Sequence, residues 1–398
     1  MHIPTIRSFA ADKAAVLRAR PIALFAPSLS GGGAERVLLN LARGLRELGH
    51  EIDIVLVRAK GELLPQVPTN VSVIDLGAKR TITSLFSLAR YLRRRRPAGL
   101  IAFLDHANVV AFWASILARE RTPVVATIHG TWSRILREGN YKTRILASVA
   151  SHAYKRMDRV VAVSEAAAVD LANSFGLLRS TVRIIYNPVI VPELWHRAKE
   201  SIDHPWFEKG QPPVIIAVGR LTKEKDFPTL IRAFSDVRTT RACRLLILGE
   251  GRERSALEEL IRNLNLEGEV LMPGFVHNPY KYMHCSSLFV LSSSSEALPT
   301  VLIEALALGI PIISTDCESG PREILKNGTL GSLTKVGDVA SMSARIHQSL
   351  STSPRCLSKH NISEYDFLAA ARKYELLLTN QFLNHGSPAE LLDFVADV

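Results

Sequence analysis

Short apolar runs rich in β-branched residues recur through the first half of the chain, at 22–26, 52–57, 71–76, 100–104, 124–128, 160–163 and 182–185. Between them lie stretches with apolar residues every three or four positions, at 34–48, 82–96 and 166–174. The first pattern predicts buried strands and the second amphipathic helices. Strand–helix alternation with helices of this length predicts α/β architecture with parallel, doubly wound sheets. After Asn187-Pro188 the pattern loosens through a polar stretch ending at Pro212-Pro213. It then restarts with strands at 214–218, 244–248, 269–272, 288–291 and 312–314 and helices at 229–237, 252–264 and 300–308. Two Rossmann-like units in tandem are expected, over 21–200 and 201–362, with an extension at 1–20 and closing helices at 363–382 and 389–398. Ligands bind beyond the carboxyl ends of strands in such sheets, so the expected site is a cleft between the units.

The 398 residues, 47% hydrophobic, suffice for two domains with separate cores. Cys243, Cys285, Cys317 and Cys356 show no C-x-x-C pair, which points away from a disulfide framework and a zinc knuckle. No window approaches the roughly 18 consecutive apolar residues of a membrane span. Asp12, Lys13 and Arg18 fall where a signal peptide would be apolar, so the expected compartment is the cytoplasm.

The formal charge of +11 is unevenly placed: residues 1–200 hold 29 Lys+Arg against 15 Asp+Glu, and residues 201–398 hold 20 against 23. A basic first half can attract nucleic acid, anionic lipid or a phosphorylated acceptor. No nucleic-acid-binding signature accompanies it, which leaves lipid or a lipid-linked phosphate and a peripheral site on the inner face of the cell membrane. The 82–96 segment fits either of two roles. Its Ile82, Leu85, Phe86, Ala89 and Leu92 leading into Arg93-Arg94-Arg95-Arg96 suit a helix lying on anionic lipid, or an ordinary sheet-packing helix with a basic C-terminus. Trp132, Arg134, Arg137, Tyr141, Lys142, Arg144, Tyr154, Lys155, Arg156 and Arg159 extend the basic, aromatic character of this half.

The segment SSSSEALPTVLIEALALG, 292–309, concentrates the candidate chemistry. Pro299 suits a helix start and Gly309 with Pro311 its end. Glu304 then lies mid-helix among Leu302, Ile303, Leu306 and Leu308. A carboxylate buried there costs on the order of several kcal/mol unless it accepts hydrogen bonds, so it is expected to face donors such as ribose or sugar hydroxyls. Glu296 precedes the helix. The first amides, of Thr300 and Val301, form an anion site between the two carboxylates.

Gly31-Gly32-Gly33 sits between the first strand and its helix, where glycine admits positive φ and close ligand approach. Arg36 occupies the sixth position of a dinucleotide fingerprint, which excludes that reading. Gly219-Arg220 follows the strand at 214–218, and Lys225 lies five residues beyond Arg220. Such a pair can clamp a diphosphate, the guanidinium bidentately and the ammonium as a point charge. His129 ends the strand at 124–128. Glu165 suits the start of the next helix, and the loop 316–323 either shapes a ligand pocket or packs the domain edge.

These segments, in order with HGT (129–131), VVAVSE (160–165), IIYNPV (184–189), VGRLTKEKDFPTLIRAF (218–234), LLILGEGRER (245–254), MPGF (272–275) and STDCESGPREIL (314–325), resemble the retaining family 4 glycosyltransferases of GT-B fold, including those of bacterial cell-surface polysaccharides. The likeness covers roughly 22–340. Seven residues separate Glu296 from Glu304, the E-x7-E spacing of that family. The resemblance implies transfer of a sugar from a nucleotide sugar, with UDP-sugar favoured, to a lipid-linked or cell-envelope glycan hydroxyl.

It also implies roles for individual residues. Gly32 and Gly33 lie over the donor diphosphate, Gly219, Arg220 and Lys225 bind it, and His129 contacts the donor sugar. Gly274 and Phe275 lie near the base, Glu296 holds sugar hydroxyls and Glu304 holds the ribose. The family often has Gly and Phe where this chain has Ala297 and Leu298, which leaves sugar selectivity open. The resemblance further implies that a C-terminal helix crosses back to the first domain. No Asp-x-Asp triplet follows a strand, so metal-independent transfer without cofactor is expected. A nucleotide-sugar epimerase, a phosphorylase and a non-catalytic nucleotide-sugar-binding subunit remain alternatives on the same scaffold.

Overall fold

The computed structural model describes residues 19–119, 122–139, 141–351 and 362–380. Residues 1–18 of the expected extension, Cys356, the expected helix at 389–398 and the side chains of Tyr141 and Lys142 lie outside the described residues. Two compact units are present. Among the described residues the first comprises everything up to Ala162, Leu171–Ile185 and the helix from Phe367; the second comprises Val163–Asp170 and Tyr186–Asp366.

In the first unit β1 (Ile22–Ala26), β2 (Ile52–Leu56), β3 (Ser72–Asp75), β4 (Gly99–Phe103), β5 (Val124–Ile128), β6 (Arg159–Ala162) and β7 (Val182–Ile184) form one parallel sheet, ordered β3-β2-β1-β4-β5-β6-β7. Runs such as IALFA in β1 are buried at every position, the signature of a strand covered on both faces. Over one face Leu38, Leu41 and Leu45 of helix Gly33–Glu47 pack with Ala370, Ala371, Tyr374 and Leu378 of helix Phe367–Asn380. The closing helix therefore belongs to the first unit. Over the other face, helices Leu85–Arg95 and Asp105–Ala118 contribute Leu88, Leu92, Val110, Ala111 and Ala114.

The segment expected as one helix over 82–96 is a 3-10 turn, Ile82–Ser84, followed by helix Leu85–Arg95. Its apolar positions divide. Leu85, Ala89 and Leu92 pack on the sheet, whereas Ile82 and Phe86 are exposed. Arg95 is held by buried Asp53, with Nε 3.0 Å from Oδ2, and Asp53 also accepts from the Tyr91 hydroxyl at 2.7 Å. Most of this helix's apolar face is thus committed to the core, as in the sheet-packing reading.

The second unit is built on β8 (Val214–Val218), β9 (Arg244–Leu248), β10 (Val270–Gly274), β11 (Leu288–Leu291), β12 (Ile312–Thr315) and β13 (Ser332–Thr334), all parallel in the order β10-β9-β8-β11-β12-β13. Its core lies between the sheet and helices such as Phe227–Arg238 and Val339–Ser351. The units divide at Ile185–Tyr186, ahead of the polar stretch expected to separate them at 200/201. The physical reason is helix Pro192–Ala198, which packs on helix Pro279–Cys285 and so draws 186–200 into the second unit. Among the described residues, no helix is long and apolar enough to cross a membrane.

Candidate functional site

Strand order in the second sheet reverses between β8 and β11, so the chain leaves the ends of these neighbouring strands in opposite directions and opens a crevice there. The loop after β8 carries Gly219, Arg220 and the 3-10 turn Lys223–Lys225; the loop after β11 carries Ser292 to Glu296. The two loops are laced together. Ser292 Oγ donates to the Lys225 carbonyl at 2.8 Å and the Ser294 amide to the Glu224 carbonyl at 2.8 Å. Across the crevice Lys225 Nζ lies 2.5 Å from Glu296 Oε1, and Ser293 Oγ donates to the same oxygen at 2.7 Å. The Lys225 stem runs over Gly219, where an added methyl would sit 3.4 Å from Cε. Arg220 is exposed beside them, with no side-chain hydrogen bond or ion pair among the described residues.

A second glycine fixes this arrangement. Gly249 follows β9 with φ +148, and a Cβ there would lie 1.9 Å from the Gly219 carbonyl oxygen. The ends of β8 and β9 approach so closely that no side chain fits between them.

Helix Thr300–Leu308 begins at Pro299 without a side-chain cap, so the Thr300 and Val301 amides are first-turn donors with no intrahelical acceptor. Glu304 is buried on this helix and accepts from the Tyr280 hydroxyl at 3.2 Å. Tyr280 is itself buried, with the Arg197 guanidinium 5.2 Å from its ring centre. The turn leading into the helix is anchored through the Ala297 carbonyl, which accepts from Ser319 Oγ at 2.8 Å and Ser164 Oγ at 3.0 Å. The 316–323 loop therefore buttresses the start of the helix. Leu298 is buried beneath that turn. Gly274 ends β10 with φ +96 and accepts from the Gly249 amide at 2.9 Å, while the half-buried Phe275 packs edge-on to His277.

Burial pushes the Cys243 thiol up to about 11 and the Cys317 thiol up to about 12, so neither supplies a thiolate nucleophile. The next helix, from Glu165, is capped by Ser164, whose Oγ accepts from the Ala167 amide at 3.1 Å; Glu323 accepts from the Glu165 amide at 3.0 Å. Glu165 itself is an acidic residue in the first turn of that helix.

The first unit has its own strand-order reversal, between β1 and β4. Gly32 and Gly33 lie beyond β1, Gly32 as the N-cap of the 15-residue helix Gly33–Glu47. His129 follows β5, stacked on Phe103 at 5.6 Å, and burial lowers its pKa to about 4. The ring is neutral near pH 7. Thr127 Oγ1 already donates to the Ala102 carbonyl at 2.7 Å, so the 3.0 Å contact between Thr127 Oγ1 and His129 Nε2 requires Nε2 to carry the proton. His129 Nδ1 is then the acceptor nitrogen.

The structure thus gathers Gly219, Lys225 and Glu296 at one crevice, with Arg220 on the same loop and Glu304 one helix away, while His129, Gly32 and Gly33 belong to the other unit. Sequence reasoning missed Tyr280, Ser293, Ser319 and Gly249. It also missed Asp105, which accepts from Trp132 Nε1 at 2.9 Å and from the Tyr154 hydroxyl at 3.1 Å beyond β4. A readable signal existed for Asp105, an acid directly following an apolar strand.

Residues 198–366 match the family model described as glycosyl transferases group 1, and residues 31–191 match that of glycosyltransferase family 4. A Campylobacter jejuni protein, the N-acetylgalactosamine-N,N'-diacetylbacillosaminyl-diphospho-undecaprenol 4-alpha-N-acetylgalactosaminyltransferase, is 30% identical over 329 residues, 81% of this chain and 87% of its own. The chain belongs to glycosyltransferase family 4. This glycosyltransferase is also 26% identical to the lipopolysaccharide 1,6-galactosyltransferase of Escherichia coli, across 68% of this chain and 70% of that one. Its fold matches the crystal structure of Anabaena HepE in complex with UDP and glucose, with a TM-score of 0.74 over 90% of this chain and 99% of that chain at 20% identity. The architecture of this glycosyltransferase is GT-B.

Proposed function

We propose that this glycosyltransferase moves a sugar, with retained configuration, from a nucleoside diphosphate sugar to a hydroxyl of a lipid-linked glycan. The observation that carries the reading is the β8–β11 crevice, where Lys225 and Glu296 face each other at 2.5 Å beside Arg220. A diphosphate bound there would draw Lys225 from Glu296. Arg220, Lys225 and the Thr300 and Val301 amides would stabilise the charge that builds on the departing β-phosphate, which is preorganised electrostatic catalysis. Released from Lys225, Glu296 accepts from donor sugar hydroxyls and supports the cationic anomeric carbon. Glu304 accepts from the ribose.

In the transfer the bond from the anomeric carbon to the phosphate oxygen breaks. The acceptor oxygen bonds to that carbon on the same face, and its proton passes to the departing phosphate oxygen. The positive charges needed are all protein groups, so the reaction runs without a divalent cation. UDP is the favoured nucleotide, in keeping with the UDP and glucose bound by Anabaena HepE. A polyprenyl diphosphate glycan is the favoured acceptor, in keeping with the diphospho-undecaprenol substrate in the Campylobacter relative's name.

The test combines purified protein, a panel of UDP, GDP and ADP sugars, and a polyprenyl-diphosphate disaccharide, with the product read by mass and by anomeric coupling in NMR. Transfer with an axial anomeric bond, unchanged by chelator, is expected. An inverted product sinks retention, loss of rate in chelator sinks metal independence, and nucleotide release without glycan extension sinks the transfer itself.

A further inference from the structure

The second unit holds a cavity of about 430 Å³ that shares no lining residue with the β8–β11 crevice. It lies beside β13, the edge strand, which has a strand neighbour on one side only. Asp316 after β12, Arg322 on the short helix Pro321–Ile324, the turn at Asn327, Thr334 and Lys335 at the end of β13, and Arg345 on helix Val339–Ser351 meet in its wall. The volume falls within the roughly 300–1,000 Å³ of small-molecule sites. Apart from Leu333, the wall is made of charged, polar and glycine residues. It is built for a polar ligand.

The charge in the wall selects the occupant. Arg322, Lys335 and Arg345 face one acid, Asp316, in a half of the chain that is otherwise net acidic, with 20 Lys+Arg against 23 Asp+Glu. Arg322 Nε donates to Asp316 Oδ1 at 3.0 Å, so that acid is already paired. Glu323 is engaged elsewhere, by the Tyr186 hydroxyl at 2.6 Å and the Glu165 amide, and Asp338 accepts from the Ser341 amide at 2.9 Å. Arg345 donates to Gln348 Oε1 at 3.1 Å, and Lys335 has no side-chain hydrogen bond or ion pair among the described residues. The wall also carries neutral polar groups. The Thr334 hydroxyl is buried with no hydrogen-bond partner among the described residues, and Asn327 is held at φ +56, uncommon outside glycine. Two arginines and a lysine suit the oxygens of a phosphate, and an amide and hydroxyls suit those of a sugar. Inorganic phosphate alone would leave most of the volume to water.

We propose that this cavity binds a hexose phosphate and that filling it steadies the start of helix Thr300–Leu308. The connection is the loop 316–323. Asp316 and Arg322, near its two ends, stand in the cavity wall, and Ser319 between them donates to the Ala297 carbonyl at 2.8 Å. A phosphate bridging Arg322 to Lys335 and Arg345 ties that loop to β13 and to helix Val339–Ser351, so openings that break the Ser319–Ala297 contact become rarer. Binding in the cavity is independent of the proposed function. Its consequence for the donor rests on that reading, which sets the departing phosphate on the Thr300 and Val301 amides.

The test is calorimetry of the full chain with glucose 1-phosphate, glucose 6-phosphate, inorganic phosphate and glucose. At least one hexose phosphate is expected to bind about tenfold or more tightly than inorganic phosphate or glucose, and less tightly as salt rises. Lys335→Ala with Arg345→Ala, both at exposed positions, is expected to weaken that binding about tenfold or more. Arg262→Ala, an exposed cation on helix Arg254–Asn263 outside the cavity, leaves it unchanged. Amide hydrogen exchange over 294–308 is expected to slow about threefold or more when the hexose phosphate saturates wild type, and to stay unchanged in the double variant. No hexose phosphate binding, binding no tighter than that of inorganic phosphate, equal binding by the double variant, or exchange unmoved in saturated wild type would overturn the proposal. UDP titration of the same proteins keeps the two readings apart. UDP binding retained by the double variant with hexose phosphate binding lost supports the cavity, and UDP binding absent from wild type, with hexose phosphate binding intact, counts against the donor site alone.

Discussion

Lys225 Nζ and Glu296 Oε1, 71 positions apart in the chain, meet at 2.5 Å with side chains only 18% and 12% exposed. Each holds the other's charge in a place where neither is well hydrated. Lys225→Met is therefore expected to slow transfer about a hundredfold or more, since it removes a cation from the leaving group. It is also expected to cost about 1–3 kcal/mol of stability, because Glu296 is left mostly buried with Ser293 as its remaining partner. Adding Glu296→Gln should restore much of that stability and none of the turnover. Urea unfolding and donor turnover on the two single variants and the double variant check both halves. Stability losses that simply add would mean that the pair does not act as a unit.

Glu304 supplies a separate prediction about affinity. Its carboxylate is buried and accepts from Tyr280, and in the proposed reading it also accepts from the ribose hydroxyls. Hydrogen bonds to a charged group contribute about 1.5–3 kcal/mol, so Glu304→Gln is expected to weaken UDP binding about tenfold or more. Calorimetry with UDP and with its 2′,3′-dideoxy analogue separates this from general damage. The substitution should scarcely change binding of the dideoxy compound, and an equal loss for both would move Glu304 away from the ribose.

Much of this was legible in advance, and for definite reasons. Strands such as β1, β4 and β8 are buried on both faces and so appear as unbroken apolar runs, whereas the three-residue β13, half-buried with Ser332 and Thr334, leaves no run to see. Glu304 stood out because a carboxylate in an otherwise apolar helix must have a partner. Its partner did not, because Tyr280 lies at the start of a different helix, Pro279–Cys285, whose mixed sequence PYKYMHC gives no sign of which side chain reaches Glu304. The 82–96 segment left two readings open for a similar reason. Periodicity shows that a helix has an apolar stripe but not what covers it. Here Leu88 and Leu92 are covered while Ile82 and Phe86 are exposed, and further exposed apolar surface lies on the neighbouring helix Asp105–Ala118, whose hydrophobic residues occupy both sides.

His129 should make stability depend on pH. Burial lowers its pKa from 6.5 to about 4, so between those values the unfolded chain holds a proton that the native ring refuses. Stability is complete above about pH 6.5 and declines as pH falls toward 4, by about 1–3 kcal/mol from this residue. His129→Asn should flatten that part of the profile. The check is the urea midpoint of wild type and variant at pH 4.5 and 7, and an unchanged slope would mean that other groups govern the acid limb.

Gly249 tests whether close approach of two strand ends, rather than backbone conformation alone, sets the crevice. Gly249 and Gly268 both have positive φ, but a methyl at Gly268 meets nothing within 4 Å, whereas one at Gly249 falls 1.9 Å from the Gly219 carbonyl oxygen. Gly268→Ala should cost only the conformational strain of about 1 kcal/mol and leave nucleotide binding intact. Gly249→Ala should cost about 2–4 kcal/mol, because it adds a displacement of backbone to the same strain. The displaced backbone is that of Gly219, which carries Arg220 and lies under the Lys225 stem, so nucleotide affinity should fall with stability. Thermal unfolding and UDP titration of both variants decide it. If the two alanines behave alike, the packing of Gly249 on Gly219 is not what holds the cationic loop in place.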